Sequence, residues 1–144
     1  MAITFSLAIK NDAGQFQEVA DDVFDAELSV ASLRLFLDDQ NHHMVIVKDG
    51  ATIIGFVSAV SYVHPDKPWE LWINEVGVAP DWRGQGIAKC LLSMMLEHGR
   101  SIGCVEAWVL TEPENAPANA LYRSVARKKD AGPTTAIMYS FKLV

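Results

Sequence analysis

Cysteine is scarce in this chain of 144 residues. Cys90 and Cys104 are too few for a disulfide framework, and no Cys/His spacing suggests zinc, so neither a disulfide scaffold nor a metal site is expected. The expected compartment is a reducing cytoplasm. Long hydrophobic runs are also missing: no stretch of 18 apolar residues occurs, and no membrane span or membrane partner is expected. Residues 1–10 alternate apolar and polar side chains and lack a charged start before an apolar block. They read as a first strand rather than a signal peptide. Basic residues are few in the first part of the chain. Residues 1–81 hold 4 basic and 13 acidic side chains, whereas residues 82–144 hold 8 basic and 5 acidic. A nucleic-acid binder carries a broad basic surface, so this pattern argues against one. It suits an anionic ligand near the second half and a cationic one near the first. Repeats, low-complexity segments and linkers are absent, and half of the residues are hydrophobic, which fits one domain over residues 1–144.

Hydrophobic periodicity gives the element order. Ile3 to Ile9 alternates as a strand. Asn11 to Asp25, with Phe16, Val19, Ala20, Val23 and Phe24, has a helical stripe, and so does Ser29 to Asp39, with Val30, Leu33, Leu35, Phe36 and Leu37. Met44–Val47 and Thr52–Val63 flank Lys48-Asp49-Gly50-Ala51, a hairpin signal. The paired prolines of His64–Pro68 predict a loop before a strand over Glu70–Val78. Ile87, Ala88, Leu91, Leu92, Met95, Leu96 and Ile102 share one helical face, ended by Gly103. Val105–Leu110 is a strand, Asn115 caps a helix bearing Ala118, Leu121, Tyr122 and Val125, and Thr134–Leu143 alternates as a closing strand. The fold class is α/β: a single mixed, mostly antiparallel sheet flanked by helices, with a central parallel βαβ unit.

The most informative stretch joins the strand ending Val76-Gly77-Val78 to the helix that opens at Ile87-Ala88-Lys89. Between them lies Arg83-Gly84-Gln85-Gly86. A helix N-terminus has unpartnered N–H groups and a positive dipole end, and glycines let an anion approach them. The spacing Arg83-x-x-Gly86-x-Ala88 resembles the coenzyme A pyrophosphate loop of the GNAT superfamily of N-acetyltransferases. Asn115-x-x-Ala118-x-x-Leu121-Tyr122 is similar to that family's second signature, and the element order agrees over nearly the whole chain. Ala126-Arg127 departs from the Gly-Phe that usually follows. Trp69 to Tyr122 looks most like the aminoglycoside 3-N-acetyltransferase branch.

The resemblance implies an acetyl-CoA-dependent enzyme of the GNAT fold. It places the pantetheine arm against backbone groups near Val76 and Val78, and the pyrophosphate on the N–H groups from Arg83 through Gly84, Gly86, Ile87 and Ala88 to Lys89. Asn115 would contact the cofactor region, and Tyr122 would protonate the leaving thiolate. The acceptor expected is a small cationic amine, a polyamine or amino sugar. A protein or peptide acceptor and a non-catalytic acyl-CoA-binding module are the alternatives, and many relatives are homodimers.

The residues themselves add a candidate base. An amine of pKa near 10.4 arrives protonated and needs a proton acceptor. Glu75, charged inside an apolar strand, is the first candidate, and the alternative for it is an exposed strand face or an ion pair. Glu112 and Glu114 follow in a loop at the same sheet end. Cys90 has no His spaced to activate it, His42-His43 is expected at the surface, nothing selects His64, and Trp69, Trp72 and Trp108 read as core or rim aromatics.

Overall fold

In the computed structural model, which describes residues 2–144, strands β1 (Ile3–Leu7), β2 (His42–Asp49), β3 (Thr52–His64), β4 (Lys67–Val78) and β5 (Glu106–Val109) form one sheet in that order. The first four are antiparallel, and β4 and β5 are parallel. Helices α1 (Val30–Asp38), α2 (Ile87–Ser101) and α3 (Ala116–Val125) complete the fold. The expected mixed sheet and βαβ unit are both present. The parallel pair lies at one edge of the sheet rather than at its centre.

The central strands read as continuous apolar runs because both of their faces are covered. Val45, Ile46, Val47, Ile53, Ile54, Phe56 and Val57 are essentially inaccessible. From α2, the buried Ile87, Leu91, Leu92 and Met95 form the stripe laid against the sheet, each such side chain contributing about 1.5–3 kcal/mol. Gly99 lets α2 approach closely, since a Cβ there would lie 2.8 Å from Leu71 Cδ2. Helix α1 begins at Ser29, whose hydroxyl accepts from the Ser32 N–H, and it buries Leu33 and Leu37. Leu35, counted in its stripe, is instead exposed.

Four expectations are corrected. Asn11 to Asp25 is not an α-helix but a 3₁₀ turn, Asp12–Phe16, followed by irregular chain. Asn11 and Asp22 both adopt positive φ (74° and 61°), which breaks helical continuity. The backbone there bonds to the sheet instead: Ile53 N–H donates to Glu18 C=O at 2.8 Å and Ala20 N–H to Ile53 C=O at 2.9 Å. The apolar stripe is real, but Phe16 and Val23 are buried from a loop. The loop expected at His64–Pro68 shrinks to a tight turn, and β4 begins at Lys67. His43 is buried within β2 rather than at the surface. The closing strand Thr134–Leu143 does not form: residues 131–144 carry no secondary structure and are exposed. Among the described residues, no helix is long and apolar enough to cross a membrane.

His43 belongs to a polar chain between the sheet and α2. Its Nε2 lies 2.8 Å from Ser61 Oγ, and its Nδ1 lies 3.0 Å from His98 Nε2. Burial, then the neighbouring His98 and His42, pushes the His43 pKa down to about 4, with Asp39 opposing; burial lowers that of His98 as well. His43 is therefore neutral when folded and titrates near 6.5 when unfolded. Stability should be complete above about pH 6.5 and should fall as pH drops from there toward 4, because only the unfolded chain takes up the proton. The slope is at most about 1.4 kcal/mol per pH unit for each such histidine. Urea unfolding at pH 7.5 and pH 5 measures this, with His43→Gln expected to flatten the difference. Equal stability at the two pH values would exclude the effect.

Candidate active site

The site is set by an irregularity in β4. Ser58 pairs with Glu75 and Ala59 with Ile73, so Asn74 is an extra residue in the ladder, a β-bulge. Leu71 faces α2, where it meets Gly99. Without the bulge, Glu75 would share that face, four residues on. With it, Glu75 and Gly77 turn to the opposite face. A Cβ at Gly77 would strike the Val23 carbonyl and the Phe56 ring there, so only glycine admits this loop.

Glu75 lines a cavity of about 260 Å³ with Phe24, Phe36, His42, Met44 and Phe56. Desolvation, then the charge of Asp25, holds its carboxyl above the usual range. Within this cavity wall, Phe24 stacks on Phe56 at 4.1 Å between centroids, and Phe36 meets the His42 ring at 5.1 Å. The Nδ1 of His42 lies 3.2 Å from Asp39 Oδ2, an ionic contact when the ring is protonated.

The bulge coincides with the parting of the parallel pair. Strand β5 pairs with β4 only from Glu70 to Ile73, and residues 74–78 have no partner on that side. Ala79 N–H donates to Ile54 C=O on β3, so by alternation the backbone groups of Val78 and Val76 point away from β3, into the opening. Arg83 Nε donates to the Val78 carbonyl at 2.9 Å, which agrees with that direction. Arg83 therefore ties the loop to β4 through a backbone carbonyl.

Past Arg83, Gly84 and Gly86 both have positive φ, 75° and 79°, a conformation open to glycine at little cost. An added Cβ at either would meet no protein atom within 4 Å. The first hydrogen bond of α2 runs from the Cys90 N–H to the Gly86 carbonyl at 3.1 Å. Among the described residues, the N–H groups of Gly84 through Lys89 find no protein acceptor. A row of such donors at a helix start, in open space, can receive an anion, and these residues could hold a pyrophosphate.

Beyond β5, whose carboxyl end lies at the same end of the sheet as that of β4, comes the segment that bears Asn115 and Tyr122. Asn115 Oδ1 accepts from the Ala118 N–H at 3.1 Å, so this side chain caps α3. Asn119, which the sequence did not single out, donates Nδ2 to the carbonyls of Glu112 (3.0 Å) and Asn115 (2.8 Å) and fixes the loop carrying Glu112 and Glu114. Tyr122 lies farther along α3, half-buried, with its phenol pushed up by burial. Trp72 and Trp108 stack at 5.4 Å, and the Trp108 indole donates to the Tyr62 hydroxyl, as expected of rim aromatics. Cys90 is exposed on α2. Among the described residues, no group of three or more His, Cys, Asp or Glu is arranged to hold a metal ion.

Sequence reasoning missed the bulge, the cavity aromatics and Asn119. An extra residue in a ladder has no local signature, and the cavity draws on five separate segments. A polar pair, Asn74-Glu75, interrupting an apolar strand was the one available hint.

The site thus joins a split parallel pair, a bulged strand and a glycine-lined helix start. Residues 11–126 match the Acetyltransferase (GNAT) family, and the chain belongs to that family. It is 32% identical over 127 residues to the L-2,4-diaminobutyric acid acetyltransferase of Oceanobacillus iheyensis, covering 86% of this chain and 69% of the relative. It is 30% identical over 125 residues to the N-alpha-acetyltransferase RimI of Mycobacterium tuberculosis, covering 85% and 77%. Among solved structures, it superposes with a TM-score of 0.78 on the aminoglycoside acetyltransferase meta-AAC0020, from an uncultured soil metagenomic sample, in complex with sisomicin, at 16% identity over 97% of both chains. It superposes with a TM-score of 0.76 on the aminoglycoside N-acetyltransferase AAC(6')-Iy in complex with CoA, at 18% identity over 99% of this chain and 96% of that one. These two likenesses are of fold. The chain is thus an acetyl-CoA-dependent N-acetyltransferase of the GNAT type.

Proposed function

We propose that the acceptor is the primary amine of a small polycationic molecule, a polyamine or amino sugar, which enters the cavity beside Glu75. The observation that carries this reading is the cavity itself: a carboxylate with a raised pKa among three phenylalanine rings. Aromatic faces and a carboxylate both attract an ammonium group. At about 260 Å³ the cavity is smaller than the roughly 300–1,000 Å³ of sites for drug-sized ligands, which suits the end of a slender amine. No Arg or Lys lines it, so a carboxylate on the acceptor would find no permanently charged cationic partner there. This favours a polyamine or amino sugar over a diamino acid, although a relative is named for one.

Acetyl-CoA, when bound, supplies the thioester that the amine attacks and the sulfur that leaves. Glu75 takes the ammonium proton, directly or through water, and exposes the nitrogen lone pair. Tyr122 gives its phenolic proton to the departing sulfur. Its raised pKa keeps that proton in place at neutral pH. The N–H groups from Gly84 to Lys89 hold the pyrophosphate, and the backbone groups of Val76 with the N–H of Val78 hold the pantetheine arm as a strand partner would, the Val78 carbonyl being taken by Arg83. Asn115 acts by capping α3 and so setting the position of Tyr122.

The likeness to an N-alpha-acetyltransferase favours a second reading, in which the acceptor is the amino terminus of a peptide. Thiol release from acetyl-CoA separates the two. With spermidine, an aminoglycoside, 2,4-diaminobutyrate and an alanine-initiated peptide as acceptors, the highest kcat/KM is expected with spermidine or the aminoglycoside. Preference for the peptide would replace this reading by the second, and no turnover with any amine would leave acyl-CoA binding alone.

A further inference from the structure

The cavity beside Glu75 has a second basic group, the ring of His42. Strand register brings the two together. Met44 pairs with Ser58 and Ser58 with Glu75, so these three form a row across β2, β3 and β4. His42 lies two residues before Met44, on the same face of β2. Two strand spacings of about 4.8 Å and two residues of about 3.4 Å put the Cα atoms of His42 and Glu75 roughly 12 Å apart, with both side chains bordering one small cavity.

Asp39 fixes the ring. Its N–H donates to the Leu35 and Phe36 carbonyls at the end of α1, its carbonyl accepts from the His42 N–H at 3.2 Å, and its Oδ1 accepts from the Asn41 N–H at 2.8 Å. The other oxygen, Oδ2, lies 3.2 Å from His42 Nδ1, which is shut off from solvent. The Asn41 N–H holds the Asp39 carboxyl below the usual range, against desolvation, and His42 adds to this. Oδ2 is therefore a carboxylate oxygen, and it keeps the imidazole proton on Nδ1. Nε2 then carries the lone pair. It has no partner among the described residues and is the ring nitrogen left accessible.

The reaction needs a base in that place. An ammonium loses two protons on its way to an amide, one before the C–N bond forms and one after. The C–S bond breaks with its electron pair going to sulfur, which takes the Tyr122 proton, and Tyr122 recovers one from solvent. Two protons per turnover therefore leave the nitrogen by way of Glu75. Glu75 accepts the second only after passing on the first, and its raised pKa makes it a slow donor to water. Imidazole is a stronger base than a carboxylate.

We propose that His42 is a proton relay for this site: Nε2 takes each proton from the Glu75 carboxyl, directly or through one water, and releases it to solvent, while Asp39 is its positioning residue. This rests on the reading of Glu75 as the first proton acceptor.

Thiol release from acetyl-CoA at saturating spermidine tests the relay in the full chain. His42→Ala should lose about 10–100-fold in kcat, and added imidazole should restore much of it by filling the vacated space. The KM for spermidine should change by less than about threefold. His42→Gln keeps the bulk of the ring without its basicity, so it should show the same loss with no rescue. Glu75→Gln combined with His42→Ala should be no slower than Glu75→Gln alone, because the two groups act in series. By nitrogen NMR the His42 ring should carry its proton on Nδ1, and Asp39→Ala should lose that signature together with part of the rate. An unchanged kcat in His42→Ala, a loss confined to KM, a loss that imidazole does not restore, or a native ring protonated on Nε2 would each overturn the relay with Glu75 left in its role. A Glu75→Gln protein as active as native would instead overturn the Glu75 reading, and the relay with it.

Discussion

Gly86→Glu is expected to abolish coenzyme A binding while the domain stays folded. Two effects act together. Gly86 sits at a φ of 79° as the residue before α2, so any side chain there is strained, at a cost on the order of 1 kcal/mol. That cost alone leaves a folded protein. The larger effect is electrostatic. The side chain would enter space that no protein atom occupies within 4 Å of the added Cβ, above the N–H groups at the start of α2. The glutamate carboxylate then takes the place of the pyrophosphate and repels it. Isothermal titration with coenzyme A should show at least a hundredfold loss for Gly86→Glu. Gly86→Ala carries the strain without the charge and should lose less. Unchanged affinity in a folded Gly86→Glu protein would move the pyrophosphate away from this loop.

The second large effect separates acid from base. Glu75→Gln keeps the shape of a solvent-accessible side chain and removes its basicity, so folding should be little affected. Its acetylation rate should fall most at low pH, where almost no free amine exists and a positioned base contributes about 10²–10⁴-fold. The defect should shrink as pH approaches the amine pKa. Native activity should itself decline as pH falls through the Glu75 pKa, which lies above the usual carboxylate range because of desolvation and Asp25. Asp25→Asn should therefore move that limb to lower pH. Tyr122→Phe keeps the half-buried ring and removes the hydroxyl. Its rate should fall by a similar factor across the whole range below the tyrosine pKa, with coenzyme A affinity nearly unchanged, because the proton is needed only as the thiolate departs. One pH–rate series on native, Glu75→Gln and Tyr122→Phe proteins with a single amine reads both. If Glu75→Gln follows the native profile, the base is elsewhere, with Glu112 and Glu114 next. A fully active Tyr122→Phe would leave Tyr122 as a packing residue.

The sequence by itself determined those features whose physics is local. Asp49-Gly50 set the β2–β3 turn, with Gly50 at a φ of 59°. Gly84 and Gly86 set the anion loop, and the Asn115 side chain capped α3 through the Ala118 N–H. In each case one to four neighbouring residues carry the whole requirement. The apolar stripe of α2 was legible for the same reason, since a helical face depends only on spacing.

Tertiary structure alone decided what depended on distant partners. The stripe from Asn11 to Asp25 became a loop because Glu18 and Ala20 found hydrogen bonds on Ile53, a competitor far away in sequence. Glu75 became a cavity residue because the ladder against β3 leaves Asn74 over, and register belongs to two strands rather than one. His43 went inside because Ser61 and His98 satisfy its ring from β3 and α2. The alternation of Thr134–Leu143 has the pattern of a strand, but a strand exists only with an edge to pair with, and no edge of its own chain receives it.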